Sequence, residues 1–301
     1  MGIKNLNKLL IEHECIKYHN SLQSFRKTKQ NYKKLIIAID TNLYYYKYLK
    51  SSLKNPFHGF LLQITNFLKN NIIPIYILDG KSPLEKKFLI KKRRLNNSVY
   101  VPYNEIKSFF DILNIKYIHI DEEADKTIGI LYQKNIIHYC LTDDLDILLY
   151  KCKNIISFKK GIITEYNLEI ILEKLNLSYP KFIYMCILLG CDYIKPKLNI
   201  PYNYILNLIK IHSIDNCKNI LLLNYDNYEK KINFIYTIIH NVYNIFFYDI
   251  NNYNIKINLN KKKYYENVSY IIKDLKSLNN DLINKLPYQL IYSIYKKLLD
   301  Q

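Results

Sequence analysis

Two clusters of carboxylates are the residues of this sequence best suited to chemistry. The clusters comprise Asp121, Glu122, Glu123 and Asp125 and, further along the chain, Asp143, Asp144 and Asp146. Each directly follows a run rich in β-branched and aromatic residues, which is typical of a strand. Carboxylates this close together repel one another unless a cation lies among them, so the clusters indicate a divalent metal site. An acidic helix start followed by an acidic turn would give the same pattern, because carboxylates also favour helix N-termini.

Four strand patterns in the first half of the chain end in acidic residues. They span residues 35–39, 72–78, 116–120 and 136–141, and Asp40, Asp79 and the two clusters follow them in turn. Helical patterns separate the four, which predicts an α/β fold with a mainly parallel central sheet flanked by helices. Ligands of parallel sheets bind at the carboxyl ends of the strands. Acid at all four ends favours a metal site, and ligation by carboxylates alone favours Mg²⁺ or Mn²⁺.

The composition favours an intracellular protein that binds a polyanion. The 301 residues include 44 Lys and Arg against 26 Asp and Glu, and the formal net charge of +18 suits nucleic acid. Because this excess is spread along the chain, the places where it clusters matter more than its size. The six cysteines form no CxxC pair, as expected of reduced core residues. No signal-peptide pattern and no apolar run of bilayer length is present, so neither secretion nor a membrane partner is expected.

The densest positive charge lies between Asp79 and the first acidic cluster. Residues 84–95 predict a helix rich in Lys and Arg, namely Lys86, Lys87, Lys91, Lys92, Arg93 and Arg94. Such a helix can lie along a phosphate backbone, and a solvated helix face is the alternative. Further on, Asp192 interrupts an apolar helical pattern that begins at Pro180. A lone Asp at that point can also serve as the cap of the next helix.

Six motifs in order resemble those of the flap endonuclease and XPG-type 5′ nucleases. They are MGIKNLNKLL at the start, AIDTNLYYYKYL, IYILDGKSP, EEADKTIGIL, LTDDLDILLY and LLGCDYI. With the short helix pattern behind the last of them, the resemblance covers residues 1 to about 212. It implies a PIN-like 5′ nuclease core at residues 1–195 and a helix-hairpin-helix-like, helical C-terminal region at residues 196–301.

The resemblance also implies an acidic constellation with two Mg²⁺ ions, for which Mn²⁺ can substitute. Its members are Asp40, Asp79, Glu123, Asp125, Asp144, Asp146 and Asp192. Asp79, Glu123 and Asp125 are expected nearer one ion and Asp144, Asp146 and Asp192 nearer the other, while Asp40 acts mainly through water. Asp121 with Glu123 also makes an acid-x-acid pair. We favour Glu123 with Asp125, because Ala124 then lies between the acids as in the motif.

Further residues are implied to contact nucleic acid. Lys86 and Arg93 match the positions where the family's basic helix contacts the reacting phosphate, and they are expected to offset charge in the transition state. Tyr46 matches the aromatic residue that stacks on a base near the cut. The remaining basic residues of the predicted helix, Lys87, Lys91, Lys92 and Arg94, are expected to bind the same strand.

The expected function is that of a Mg²⁺-dependent, structure-specific 5′ nuclease in DNA replication, repair or recombination. Its substrates would be DNA with a 5′ flap, nick, gap or end, cut as a flap endonuclease, a 5′–3′ exonuclease or both. Two alternatives remain: removal of RNA primers from RNA-primed DNA, and a catalytically silent DNA-binding scaffold. We expect a monomer in the nucleus or at a cytoplasmic replication site. The segment from Gln289 is similar to a sliding-clamp peptide, but its spacing is imperfect and an amphipathic helix end is favoured.

Two departures from the family pattern change these expectations. Asn199, Ile200 and Pro201 stand where the family has Gly-Ile-Gly in a hairpin that binds duplex and K⁺. Pro lacks a donor N–H and Asn tolerates unusual dihedrals less well than Gly, so duplex binding and a K⁺ site there stay open. Only 44 positions separate Asp79 from Glu123. The corresponding segment is longer in typical family members, where it forms a helical arch.

The short segment after Asp79 predicts that no complete arch encloses a threaded single strand. A bulky group on the 5′ end of a flap should therefore leave the cleavage rate nearly unchanged, which a labelled flap substrate with and without the block would measure. Strong inhibition by the block would contradict this prediction.

Overall fold

The computed structural model describes residues 2–51, 55–80, 101–120, 124–194 and 198–246. Within these ranges seven strands form one sheet in the order β1-β7-β6-β5-β2-β3-β4. The strands are β1 Ile16–His19, β2 Leu35–Asp40, β3 Ile72–Leu78, β4 Lys116–His119, β5 Tyr139–Leu141, β6 Asn154–Lys159 and β7 Ile162–Asn167. The pairs β2–β3, β2–β5, β3–β4 and β5–β6 are parallel, whereas β7 runs antiparallel to both β6 and β1. The predicted α/β fold with a mainly parallel sheet is thereby confirmed.

Helices cover both faces of this sheet. Their bounds are α1 Leu6–Glu12, α2 Leu22–Lys27, α3 Thr41–Lys50, α4 Pro56–Lys69, α5 Tyr103–Ile112, α6 Ala124–Gln133, α7 Leu168–Leu175, α8 Tyr179–Leu189, α9 Tyr202–Ile211, α10 Ile214–Asn224 and α11 Glu229–Phe246. Short 3₁₀ turns lie at Leu145–Tyr150 and Asp226–Tyr228. Among the described residues, no helix is both long enough and apolar enough to span a membrane.

The apolar strands are continuous because each face of the sheet packs against its own core. In β2, Ala38 belongs to the core formed with α1, α6, α8, α9 and α11, while its neighbours Ile37 and Ile39 belong to the core formed with α2 to α5. A strand buried on both faces needs apolar residues at every position. This explains why residues 35–39 lack the alternation of a half-exposed strand.

The strand order brings the four acidic strand ends together. The strands β5, β2, β3 and β4 are consecutive in the sheet, so their carboxyl ends share one edge, where Asp40, Asp79 and the loop with Asp143, Asp144 and Asp146 follow three of them. In register, Asp40 lies opposite Ile77 of β3, and Ile39 lies opposite Leu141 of β5. The chain after each of these strands therefore leaves the sheet at nearly the same level.

Local capping explains where several elements begin. Asp40 ends β2 and also caps α3, since its Oδ1 accepts from the N–H of Leu43 at 3.0 Å. Asn55 caps α4, which carries Pro56 in its first turn, a position where the missing N–H costs nothing. Strand β1 has no counterpart in the sequence predictions, because two of its four residues are exposed and the pattern is too short to read.

The described part of the C-terminal region shares the first of these cores. Leu206, Ile235 and Phe246 pack in the same apolar cluster as α1 and α8. All six cysteines are buried free thiols, as their sequence pattern predicts. The division between residues 1–195 and 196–301 stays a prediction, and residues 84–95 and the segment from Gln289 lie outside the described residues.

Close contact between α3 and α4 depends on Gly59. A Cβ at this position would overlap the ring of Tyr48, which packs edge-on against Phe60 at 5.3 Å between centroids. We expect Gly59→Ala to lower the free energy of unfolding by about 1–3 kcal/mol, because a methyl group forced into a packed contact displaces the ring. Chemical denaturation would measure the change. The exposed Lys69→Ala on the same helix should stay within about 0.5 kcal/mol of the wild type, and an equal loss in both variants would contradict the prediction.

Candidate metal centre

Three carboxylates form the closest acidic group among the described residues. Oxygen atoms of Asp144, Asp146 and Asp192 all lie within 4.8 Å of one another. Asp146 is 1% exposed and Asp192 is 9% exposed, so two of the three charges are buried. Buried like charges at this distance are stable only when a cation compensates them. The oxygen-only donor set fits a hard divalent ion, and the role of these three residues as metal ligands stays a prediction.

The loop after β5 brings Asp144 and Asp146 to this group. The N–H of Asp144 donates to the Thr142 hydroxyl at 3.1 Å, and Asp144 Oδ1 accepts from the N–H of Asp146 at 3.2 Å. Asp144 thereby caps the 3₁₀ turn, which buries Asp146. Asp192 follows α8, whose C-cap Gly190 has the left-handed φ of 103° that glycine adopts without strain.

Asp143 anchors the same loop to the body of the protein. Its carboxylate lies 2.8 Å from Lys47 Nζ and accepts from the Ser157 hydroxyl at 2.5 Å. Burial by itself would raise the pKa of Asp143, but the hydrogen bonds from Lys47 and Ser157 outweigh it and hold the pKa below its usual range. Asp143 is therefore a charged anchor of the loop.

Asp79 and Asp125 lie at the start of α6. Asp79 follows β3, and its Oδ1 accepts from the N–H of Ala124, the first residue of α6, at 2.7 Å. A helix N-terminus favours negative charge, which suits both Asp79 and Asp125 in the first turn. Glu123, which the sequence places between these residues, lies outside the described residues together with Asp121 and Glu122.

Asp40 lies within electrostatic range of both Asp79 and Asp144. The pKa of Asp40 is raised to about 7, because burial disfavours its charged form and because Asp79 and, more weakly, Asp144 repel that charge. The N–H of Leu43 and the Thr142 hydroxyl, as donors to Asp40, offset part of the effect. Asp40 lies deep in the site although its side chain keeps a partly exposed face. A cation beside these acids would favour the ionised form.

Of the residues predicted to contact nucleic acid, Tyr46 lies within the described part of the chain, and its role stays a prediction. Tyr46 lies on α3, is half-buried, and packs edge-on against Tyr45 with ring centroids 5.8 Å apart. The predicted basic residues lie outside the described residues, and their roles stay predictions: Lys86, Lys87, Lys91, Lys92, Arg93 and Arg94.

Four residues that sequence reasoning did not select lie close to the acids. Lys47 pairs with Asp143, Asn42 donates to Asp79, and Tyr103 contacts Asn42. The fourth is Gly2, where a Cβ would lie 2.5 Å from Asp144 Oδ1 and 3.3 Å from Asp146 Oδ1. Gly2 belongs to the MGI motif, so the sequence carried a signal for it, whereas the other three have no motif of their own.

Two stretches of the sequence match domains of one known family, and together they contain most of the acids of this site. The XPG N-terminal domain matches residues 1–99 and the XPG I-region matches residues 114–192, together more than half of the chain. The chain belongs to the XPG family. Of the acids discussed above, Asp40 and Asp79 fall in the N-terminal match, and Asp125, Asp144, Asp146 and Asp192 fall in the I-region match.

Two flap endonucleases are similar to this chain at low sequence identity. The chain is 25% identical over 260 residues to flap endonuclease 1-B of rice, covering 70% of this chain and 62% of the relative. It is 28% identical over 259 residues to flap endonuclease 1 of Encephalitozoon cuniculi, covering 70% and 73%. The chain therefore spans less than two thirds of the rice relative's length.

Solved structures share the fold of this XPG-family chain. The catalytic core of Rad2 in complex with DNA substrate superposes with a TM-score of 0.68 at 18% identity, covering 99% of this chain and all of that one. Human GEN1 in complex with Holliday junction DNA gives 0.64 at 17% identity, covering 98% and 78%. Flap endonuclease-1 from Methanococcus jannaschii gives 0.58 at 19% identity, covering 93% and 98%.

The position of Gly2 yields a prediction about metal affinity. We expect Gly2→Ala to weaken binding of Mn²⁺, because the new methyl group would press on the Asp144 carboxylate and because φ at Gly2 is 88°, a value that alanine rarely adopts. Calorimetric titration with Mn²⁺ would measure the change.

Gly161→Ala is the matched control for backbone strain. Gly161 has a similar φ of 84° but no atom within 4 Å of a built Cβ. The control should lose about 1–2 kcal/mol of stability from the left-handed backbone and keep the Mn²⁺ affinity of the wild type. Equal Mn²⁺ affinity in both variants would show that Gly2 does not shape the centre.

Proposed function

We propose that this protein is a divalent-metal-dependent, structure-specific 5′ nuclease that cleaves phosphodiester bonds in DNA, as a 5′-flap endonuclease, a 5′–3′ exonuclease or both. The observation that carries the proposal is the group of Asp144, Asp146 and Asp192 at the acidic edge of the sheet. Membership of the XPG family and the DNA-bound Rad2 and GEN1 neighbours support it.

The donor set supports Mg²⁺ as the resident metal, with Mn²⁺ able to replace it. Asp144, Asp146 and Asp192 would hold one ion, and Asp79, Glu123 and Asp125 would hold a second. Bound Mg²⁺ supplies Lewis-acid chemistry, which lowers the pKa of water and stabilises negative charge on a phosphate. Carboxylates suit this ion, since Mg²⁺ prefers oxygen ligands.

The residues of the chain itself would orient the reactants. Asp40, which lies close enough to Asp79 and Asp144 to be repelled by both, would act mainly through a water molecule near the scissile phosphate. Lys86 and Arg93 would contact the reacting phosphate, and Tyr46 would stack on the adjacent base. The net charge of +18 would favour association with the phosphate backbone.

The proposed chemistry also indicates a class of substrate and a cellular process. DNA with a 5′ flap, nick, gap or end is the proposed partner, and the protein would act as an intracellular monomer in replication, repair or recombination. A contact with a sliding clamp through the segment from Gln289 is a weaker proposal. RNA-primed DNA is the alternative substrate that the cleavage assay should include.

The decisive experiment compares cleavage by the wild type and by Asp144→Asn, Asp146→Asn. A labelled set of flap, nicked, gapped and RNA-primed substrates would be incubated with and without Mg²⁺. We expect metal-dependent cleavage by the wild type and a loss in the double variant larger than the 10- to 100-fold typical of an outer hydrogen-bond partner of a metal ligand. No metal-dependent cleavage of any substrate by the wild type would overturn the proposal.

Two controls separate chemistry from folding. Asp215→Asn, Glu229→Gln removes the same number of charges from exposed positions on α10 and α11 and should keep full activity. In the absence of metal, the Asp144, Asp146 double variant should unfold at the same temperature as the wild type or higher, because it removes repulsion between close carboxylates. A much lower unfolding temperature would assign the lost activity to misfolding.

A further inference from the structure

Both oxygens of Asp79 accept hydrogen bonds from different helices. Oδ1 accepts from the N–H of Ala124 at 2.7 Å, and Oδ2 accepts from the Asn42 side-chain amide at 2.7 Å. The carboxylate is thus held between the first turn of α3 and the first turn of α6. These two donors belong to different helices, so together they fix the orientation of the carboxylate.

Chemistry fixes which end of the Asn42 amide faces Asp79. An ionised carboxylate only accepts hydrogen bonds, so the amide nitrogen must point toward it and the amide oxygen must point elsewhere. In this orientation Asn42 is a donor that neutralises no charge. It therefore aims Asp79 without competing as a cation for the site.

Tyr103 fixes Asn42 in turn. Its hydroxyl lies 2.8 Å from Asn42 Nδ2 and 3.2 Å from Asn42 Oδ1, so it can accept from the nitrogen and donate to the oxygen. The Tyr103 ring is half-buried and packs against His119 with centroids 5.5 Å apart. Tyr103 is the first residue of α5, so the chain of contacts Tyr103–Asn42–Asp79 joins three separate elements.

We propose that Asn42 and Tyr103 are positioning residues, which act in series to hold Asp79 in the orientation that binds a divalent metal. The proposal rests on the proposed function only in taking Asp79 as a metal ligand. Outer hydrogen-bond partners of metal ligands typically contribute 10- to 100-fold in metal affinity. Tyr103 is expected to act through Asn42, because its hydroxyl is bonded to the amide that donates to Asp79.

A double-mutant cycle on metal affinity tests the proposal. Binding of Mn²⁺ alone would be titrated calorimetrically for the wild type, Asn42→Ala, Tyr103→Phe and the double variant. We expect about 10-fold weaker binding for Asn42→Ala and a smaller loss for Tyr103→Phe. The double variant should bind as Asn42→Ala does, because Tyr103 has nothing left to orient.

Matched controls isolate the hydrogen bonds. Tyr117→Phe removes a tyrosine hydroxyl that donates to Asp111 at 3.2 Å on the same α5–β4 unit, and Asn66→Ala removes an exposed amide from α4. Both should keep the Mn²⁺ affinity of the wild type. DNA affinity measured in EDTA should be unchanged in Asn42→Ala and Tyr103→Phe.

The outcomes distinguish this inference from the proposed function. Wild-type protein that binds Mn²⁺ and cleaves DNA, with Asn42→Ala equal to it in Mn²⁺ affinity, would overturn only the positioning role. A Tyr103→Phe effect that persists in the Asn42→Ala background would overturn the serial arrangement. A wild type that neither binds Mn²⁺ nor cleaves DNA would overturn the proposed function itself.

Discussion

The structure depends on holding mutually repelling carboxylates together at one edge of a sheet. Hydrogen-bond donors from several elements surround these acids: the N–H groups of Leu43 and Ala124, the amide of Asn42 and the hydroxyl of Thr142. These donors reduce the repulsion without removing it, as the raised pKa of Asp40 indicates. The fold therefore supplies orientation, and the remaining negative charge supplies affinity for a cation.

The ends of the buried strands could be predicted from the sequence, and the acids lie directly after those ends. Apolar runs that end in Asp40 and Asp79 identify parallel strands buried on both faces, and the sheet places their carboxyl ends at one edge. The order of the strands was not predictable, since residues 35–39, 72–78 and 136–141 have similar apolar patterns. The place of β2 between β5 and β3 follows from tertiary pairing, which no local pattern encodes.

The side chains that hold the acids in place could not be predicted from the sequence either, because their contacts also depend on tertiary packing. Asn42, Lys47 and Tyr103 reach their partners only after separate elements have packed, and each would be unremarkable as a surface residue of a helix. Gly2 differs from these three residues because it belongs to the MGI motif. The motif alone, however, does not explain why a glycine is needed at this position. The reason is the space beside Asp144, which only a residue without a side chain leaves open.

The strand order also determines when the centre can exist during synthesis. Strand β2 pairs with β5 across a long sequence separation, since Ile37 lies opposite Tyr139. Asp192 is made later still, after α8. Contacts this distant in sequence form slowly and only once both partners have left the ribosome. A nascent chain that ends before residue 192 therefore carries an incomplete set of acids, so the growing polypeptide has no complete metal centre until most of the fold is present.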